Sequence, residues 1–390
     1  MIIVFVKNKL VSVDNIIPIL LEANAKHGKR SLIVTLDQLA YEGIKSNVVL
    51  NDAVNKVGSI LYLGNGIRNK ILRRFIMLFQ FIFLIYHFFK SSKIIHFGLL
   101  DVFPLRVLGV LFSKNIYLCE VDSYKHMKEK TINDILEHVF NRKSIYANPV
   151  GKSIIYFNKA FPIINNFNLR DKSLYKFKTT RGRRWWIDHS YDRADYYMDR
   201  YHPRVNLAKG YIVYILSFLG NEALLYNKEA SLNLFKKTIF LLSKNYPELQ
   251  ILIKPHPVTD IELVSDIISD QEVNATITYL HASVLSRYAI LFISNIYSTV
   301  LADAKSLLVP TVEYTHYNNK VLNETTGRSF GYLNVDYFIN NDEIDLTGVI
   351  STIMLNSSTN DRHNKFINYT NETYKFNNSD EFGLVDDLCK

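Results

Sequence analysis

The stretch LQILIKPHPVTD, residues 249–260, is an almost unbroken apolar run that stops at Lys254, Pro255, His256 and Pro257. Short continuous apolar runs belong to strands buried on both faces, as in a parallel sheet covered by helices. A strand with nothing to bind at its end closes most readily on Gly, Asn or Asp. Here two prolines, each with φ fixed by its ring, stiffen a loop that carries an ammonium and an imidazole. The run predicts an α/β fold and a polar site at a strand's carboxyl end.

Strands alternate with helices on both sides of it. KGYIVYILSFLG (209–220) and EASLNLFKKTIFLLSKNYP (229–247) precede it as strand and helix. A helix around DIELVSDIIS (260–269) follows, then ATITYL, HASVLSRY, AILFIS, STVLADAKSL and VPTVEY (309–314). The N-terminal part has the same rhythm in MIIVFV, VDNIIPILLEANAKHG, SLIVTL, KIIHFGLL, DVFPLRVLGVLF and NIYLCEVD (115–122). Right-handed crossovers turn each series into a doubly wound domain whose ligands sit beyond the strands' carboxyl ends. The expected organisation is one α/β domain over 1–157, a basic aromatic connecting segment over 158–207, a second α/β domain over 208–345, and a helix with a tail over 346–390. A cleft is expected between the two domains.

A chain of 390 residues suits two cores better than one. Hydrophobic residues make up 48% of it, with 25 Tyr and 24 Phe, which fills both cores and excludes a disordered chain. The formal charge of +9 suits a polyanion, an anionic membrane face or a phosphorylated substrate, and does not choose among them. Cys119 and Cys389 fall in no metal-type spacing, which argues for a reducing cytoplasm and against a disulfide scaffold. The opening MIIVFVKNKL is too short an apolar run for a secretory signal. RRFIMLFQFIFLIYHFFK (73–90) is apolar between basic flanks, broken by Gln80 and His87. A spanning helix wants about twenty apolar residues. Two readings stay open, a helix buried against a domain core and a helix lying on the inner membrane face with Arg73, Arg74 and Lys90 at anionic headgroups.

Three polar clusters follow strands. Lys254-Pro255-His256-Pro257 is the first. The second is LFISNIYSTVLADA, where Ser294 and Asn295 end a strand and Ser298-Thr299 open a helix. The third is YLCEVDSYKH, with Glu120, Asp122 and Ser123. Ser298 and Thr299 can cap the helix or offer hydroxyls and N–H groups to an anion. A lysine, a histidine and a hydroxyl pair aimed at one crevice describe a phosphate site.

IKPHP followed by FISNIYSTVLADA and LLVPTVEY resembles the C-terminal half of GT-B glycosyltransferases that carry an HP motif and a Ser/Thr pair. Bacterial sialyltransferases and Kdo-type transferases, which use CMP-activated acidic sugars in capsule and lipopolysaccharide assembly, are of this kind. The resemblance spans residues 208–316. It implies two Rossmann-like domains in the cytoplasm, either free or peripheral on the inner membrane face, and a CMP phosphate held by His256, Ser298 and Thr299. It also implies transfer without a metal or cofactor beyond the nucleotide-sugar donor, to a glycan or glycolipid acceptor. Charge growing on the departing CMP is then stabilised by a histidine and preorganised donors.

The resembling sialyltransferases carry an acidic pair followed by Gly after an N-domain strand; here Val121 separates the acids and Ser123 replaces Gly. Asp122 is the first choice for the base, with Glu120 as support and Asp101, in HFGLLDVFP, as competitor. Glu313 is placed to accept from ribose hydroxyls, or to serve structure. In RGRRWWIDHSYDRADYYMDRYHPR (181–204), Arg183, Arg184, Trp185 and Trp186 suit an anionic glycan or lipid phosphate; Arg–Asp pairing within the fold stays open, and nucleic acid is not the expected partner. Two other readings are weighed. A CDP-alditol phosphotransferase of teichoic-acid type has YSS where this chain has YST, but Asp where it has Asn295. A non-enzymatic polyanion-binding protein would show steep salt dependence.

Overall fold

Ile2–Val6 is a run of β-branched and aromatic residues, all buried, and so forms a central strand, β1. Around it the first sheet adds Ser31–Thr35 (β2), Gly58–Tyr62 (β3), Lys93–His96 (β4), Ile116–Cys119 (β5), Ser153–Phe157 (β6) and Ser173–Phe177 (β7). Its order is β3-β2-β1-β4-β5-β6-β7, and every ladder is parallel. The second sheet comprises Tyr211–Ile215 (β8), Gln250–Lys254 (β9), Ala275–Ile277 (β10), Ala289–Ser294 (β11), Thr311–Thr315 (β12) and Tyr337–Asn340 (β13). Its order is β10-β9-β8-β11-β12-β13, again all parallel. Each order reverses beside its first strand, at β1/β4 and β8/β11, which is where doubly wound sheets leave room for ligands.

This structure, a computed structural model, describes residues 1–6, 10–35, 37–63, 67, 69–90, 92–97, 100, 105–119, 150–157, 173–177, 183–216, 228–256, 259–356, 364 and 383–390. They divide into two compact units. One runs from Met1 to Trp186 and takes back the C-terminal helix; the other runs from Ile187 through the Glu343–Asn356 helix. Two boundaries differ from expectation. The stretch read as a connector contributes β7 to the first sheet, and its later part folds as the Arg184–His189 and Ala194–Tyr201 helices. The C-terminal helix Leu384–Cys389 packs on the Leu10–His27 helix. Asp387 there accepts from the Tyr117 hydroxyl of β5 and, at 2.7 Å, from that of Tyr175 in β7.

The helix expected near 73–90 is Lys70–Phe89, capped by Asn69. Of the two readings left open for it, burial against a domain core holds on one side only. Leu84 and Phe88 join the core formed by Ile3, Phe5 and Val34, and Gln80 Nε2 donates to the Tyr62 carbonyl at 3.3 Å. Most of the remaining surface of this helix is exposed and apolar.

The junction of β4, β5 and β6 is tight. The buried His96 ring donates from Nε2 to the Val150 carbonyl at 3.1 Å. Next to it Gly151 has φ +98°, and a Cβ there would sit 2.5 Å from the Ile116 carbonyl oxygen. Gly28 has φ +63° with open space around it. Gly151→Ala is therefore expected to lose ~2–4 kcal/mol in urea unfolding, against about 1 kcal/mol for Gly28→Ala, which meets only the left-handed backbone penalty.

Candidate functional site

Parallel register sets the carboxyl edge of the second sheet in one row. Lys254 aligns with Ile215, Ile215 with Ser294, and Ser294 with Glu313. β8 lies between β9 and β11, so the HP loop and the Ser-Thr segment leave strands that are not direct neighbours. At ordinary strand spacing Lys254 and Ser294 stand about 10 Å apart.

Lys254 Nζ donates to the Leu280 carbonyl at 2.8 Å. The receiving loop is braced in turn. His202 Nε2 meets Thr278 Oγ1 at 2.8 Å, the Leu280 N–H donates to the same oxygen at 3.3 Å, and His281 Nδ1 accepts from the Ser283 N–H at 3.1 Å. His256 lies two residues beyond Lys254, at the surface, and its carbonyl accepts from the Thr259 N–H at 2.9 Å. Partial desolvation lowers its imidazole pKa below the ordinary value, so the neutral ring is favoured at neutral pH. Pro257 lies outside the described residues.

The segment after β11 is held from below. Ser294 is buried, and its hydroxyl has no hydrogen-bond partner among the described residues. Asn295 faces inward. Its amide nitrogen donates to Thr238 Oγ1 at 3.0 Å and to the Tyr314 carbonyl at 2.8 Å, and its oxygen accepts from the Tyr214 hydroxyl. Asn295, a further candidate from the sequence for nucleotide or phosphate binding, is corrected to an internal role, because its bonding capacity is taken up inside the core. Ser298 Oγ accepts from the Val300 N–H at 3.3 Å and so does the capping. Thr299, half-buried at the head of the Val300–Ser306 helix, makes no side-chain cap bond.

Glu313 is fully buried in β12. Its carboxyl group accepts from the hydroxyls of Tyr317 and Ser329 and from the backbone of Tyr297. Of the two roles left open for it, ribose contact and structure, burial fits the structural one, a positioning duty toward the segment that carries Ser298 and Thr299. Gly331 serves the same segment, since a Cβ there would fall 1.7 Å from the Tyr297 ring. Burial pushes the Glu313 pKa up to about 7, outweighing the donors that lower it.

The acids expected to act as base, Asp101, Glu120 and Asp122, lie outside the described residues, following β4 and β5 in the chain. Arg183 is engaged with the buried Glu22, its Nε at 2.8 Å, and Lys26 reaches the same carboxylate at 2.7 Å. Trp186 is 2% exposed and has no free face for a sugar, which corrects its expected acceptor role. Arg184 is exposed and Trp185 half-buried. Further along, Arg193 stacks over Tyr196 at 4.9 Å and Tyr197 at 5.3 Å, and Arg287 over Tyr191 at 5.4 Å. Much of the basic aromatic composition is thus used in internal cation–π packing.

No protein-family model and no curated protein sequence matches this chain. Solved structures do match it. UDP-GlcNAc 2-epimerase from Neisseria meningitidis, bound to UDP-GlcNAc, is 11% identical with a TM-score of 0.54, covering 94% of each chain. Phytolacca americana UGT2, complexed with UDP-2-fluoro-glucose and pterostilbene, is 11% identical at 0.51, covering 99% of this chain and 98% of that one. The glycotransferase of kitacinnamycin is 11% identical at 0.50, covering 95% and 94%. At such identities the likeness establishes the fold. The chain has the GT-B fold of two doubly wound α/β domains.

The raised pKa of Glu313 gives a signed expectation. A carboxyl whose folded pKa of about 7 exceeds the ordinary 4.5 contributes stability that is full below 4.5 and lost as pH rises through 7. Glu313→Gln should flatten that loss in urea titrations run between pH 4.5 and 8, by about 1 kcal/mol per pH unit within the window. Equal pH slopes for the two proteins would place the carboxyl in a more polar setting.

Proposed function

We propose that this protein is a glycosyltransferase of bacterial surface-polysaccharide assembly. It takes a sugar from a pyrimidine-nucleotide donor, a CMP-activated acidic sugar, and passes it to a hydroxyl of a glycan or glycolipid acceptor. The observation that carries the reading is the row Lys254–Ile215–Ser294 at the switch point of the second sheet, with His256 just beyond it and Thr299 uncommitted to capping.

In this scheme the bond between the anomeric carbon and a phosphate oxygen breaks as the acceptor oxygen attacks. The electron pair leaves with CMP. Lys254, His256 and the Thr299 hydroxyl meet the charge that grows on its phosphate. The acceptor's proton passes to a carboxylate, for which Asp122 is proposed, with Glu120 supporting it and Asp101 as the alternative. Glu313 and Asn295 act through the segment they hold. A second reading, epimerisation of a UDP-sugar, is favoured by the likeness to the Neisseria meningitidis enzyme; it needs no acceptor.

Thermal shift against CMP, UDP, CDP-glycerol and their sugar conjugates ranks the donors, because bound nucleotide raises stability by mass action. The proposal expects the largest shift with CMP. NMR of the sugar products then separates transfer from epimerisation, since a new epimer formed without acceptor would replace the transferase reading. The His256 pKa lies below 6.5, and phosphate favours the imidazolium. CMP affinity should therefore rise as pH falls from 7 through the pKa of the free protein. His256→Ala should weaken binding roughly 10- to 100-fold at the low end of that range and erase the pH dependence. Asp122→Asn should cut turnover by about 10²- to 10⁴-fold with the CMP shift intact; normal transfer by that variant moves the base to Glu120 or Asp101.

A further inference from the structure

We propose that the Lys70–Phe89 helix, with the outer face of the adjoining Leu105–Leu111 helix, seats this protein in the interface of an anionic phospholipid bilayer. The inference stands on the first unit alone and does not depend on reading the second sheet as a nucleotide site.

The helix is apolar on both sides but packed on only one. Leu84 and Phe88 are locked in the core of the first sheet. The opposite side carries Phe75, Phe79, Ile82, Tyr86 and Phe89, a stripe at helical spacing, with Phe75 57%, Phe79 68% and Phe89 70% exposed. The patch extends onto the next helix, where Val107, Val110 and Leu111 are exposed as well. Phe112 joins the two, its ring 5.9 Å from Phe88 and 5.0 Å from Phe89. An apolar surface of this extent marks a binding face in a soluble domain.

Charge chooses the occupant. Residues 53–119 hold nine Lys and Arg against Asp101 alone, in a chain whose formal net charge is +9. Lys70, Arg73 and Arg74 stand at one end of the helix and Lys90 at the other, its ammonium 4.8 Å from the centre of the Tyr86 ring. Arg106 stands in the first turn of the second helix and Lys114 just beyond its end, both exposed. A second copy of this face would bring like charges together. An anionic bilayer offers negative headgroups and, beneath them, apolar depth for the aromatic stripe.

Topology decides between lying on the bilayer and crossing it. By length and composition Lys70–Phe89 could span. Yet β3 precedes it, β4 follows it, and both belong to one sheet in the order β3-β2-β1-β4. A span would set Tyr62 and Lys93 on opposite sides of ~30 Å of hydrocarbon, which the shared sheet forbids. The helix therefore lies in the plane of the interface, its outer side sunk about 5–10 Å.

The test is flotation of the full-length protein with phosphatidylglycerol–phosphatidylcholine vesicles and with pure phosphatidylcholine vesicles. Strong binding is expected only to the anionic set, weakening as salt rises. Arg73→Gln/Arg74→Gln should lower affinity about fivefold per charge removed. Phe75→Ser/Phe79→Ser/Ile82→Ser should lower it at least roughly tenfold, with circular dichroism and melting unchanged because these side chains lie outside the core. In Phe79→Trp, lipids brominated in the acyl chain should quench fluorescence beyond the wild-type level. Absence of binding to anionic vesicles overturns the proposal. So does equal binding by wild type and the triple-serine protein, or lipid-free self-association of the wild type that the triple-serine changes abolish, which would assign the face to a second copy.

Discussion

Asn295 ties three elements together, and the geometry of the second sheet's working edge follows from that bond set. It joins β8 through Tyr214, the Lys228–Asn245 helix through Thr238, and β12 through Tyr314. A buried amide in this position is stable only if its donors and acceptor are matched, because an unpaired polar group in the core costs about 1–3 kcal/mol. Matching them leaves the chain few ways to depart from β11. Ile296 onward must therefore emerge over the carboxyl edge, in the row of strand ends that includes Ile215 and Lys254. The floor of that edge is thereby fixed.

Glu313 extends the same constraint and shows its limit. Three donors converge on its carboxyl group, and each favours the ionised form. Burial still wins, and the group titrates near neutrality. This is the ordering expected when a charge is removed from water faster than neighbours can replace the hydration. The segment it supports, Tyr297 to Thr299, thus hangs on a carboxyl whose charge changes near neutrality. His256 is moved by the same cause in the opposite direction, burial lowering its pKa and favouring the neutral ring. One group is tuned within the scaffold, the other at the surface where a phosphate can retune it.

The central strands were legible in the sequence because burial on both faces leaves a near-continuous apolar run, as in IIVFV of β1 and AILFIS of β11. The edges were not. β3 and β7 close the first sheet and β13 the second, and their sequences GSILY, SLYKF and YFIN mix polar and apolar residues. An edge strand has one neighbour and partial exposure, so its pattern fades into that of a loop. The HP loop and the Ser-Thr segment were found at strand ends because parallel topology places all such ends on one side. The roles of Asn295 and Glu313 were not readable. Asn295 follows a strand and Glu313 lies within one near its carboxyl end, as ligand-binding residues do, and only Thr238, Tyr317 and Ser329 reveal that they face inward. Likewise, nothing local in RRWW says that Arg183 is bound to Glu22, 161 positions earlier in the chain.

Net charge had left three partner classes open, and position narrows them. Were the excess cations spread evenly, they would describe solubility and little else. Instead they gather beside the exposed aromatic stripe of the β3-to-β4 crossover. Such a crossover needs only one apolar side, the one that covers the sheet. A second apolar side gains nothing for the fold and exposes aromatic surface to water throughout the life of the free protein. The arrangement is physically coherent when the outer side is covered in the working state. Cations at both ends of the helix are then useful as well, since they let a neutral-to-anionic change of surface decide when it is covered. On this argument the fold proper ends at Leu84 and Phe88, and the residues facing away from them belong to a second solvent.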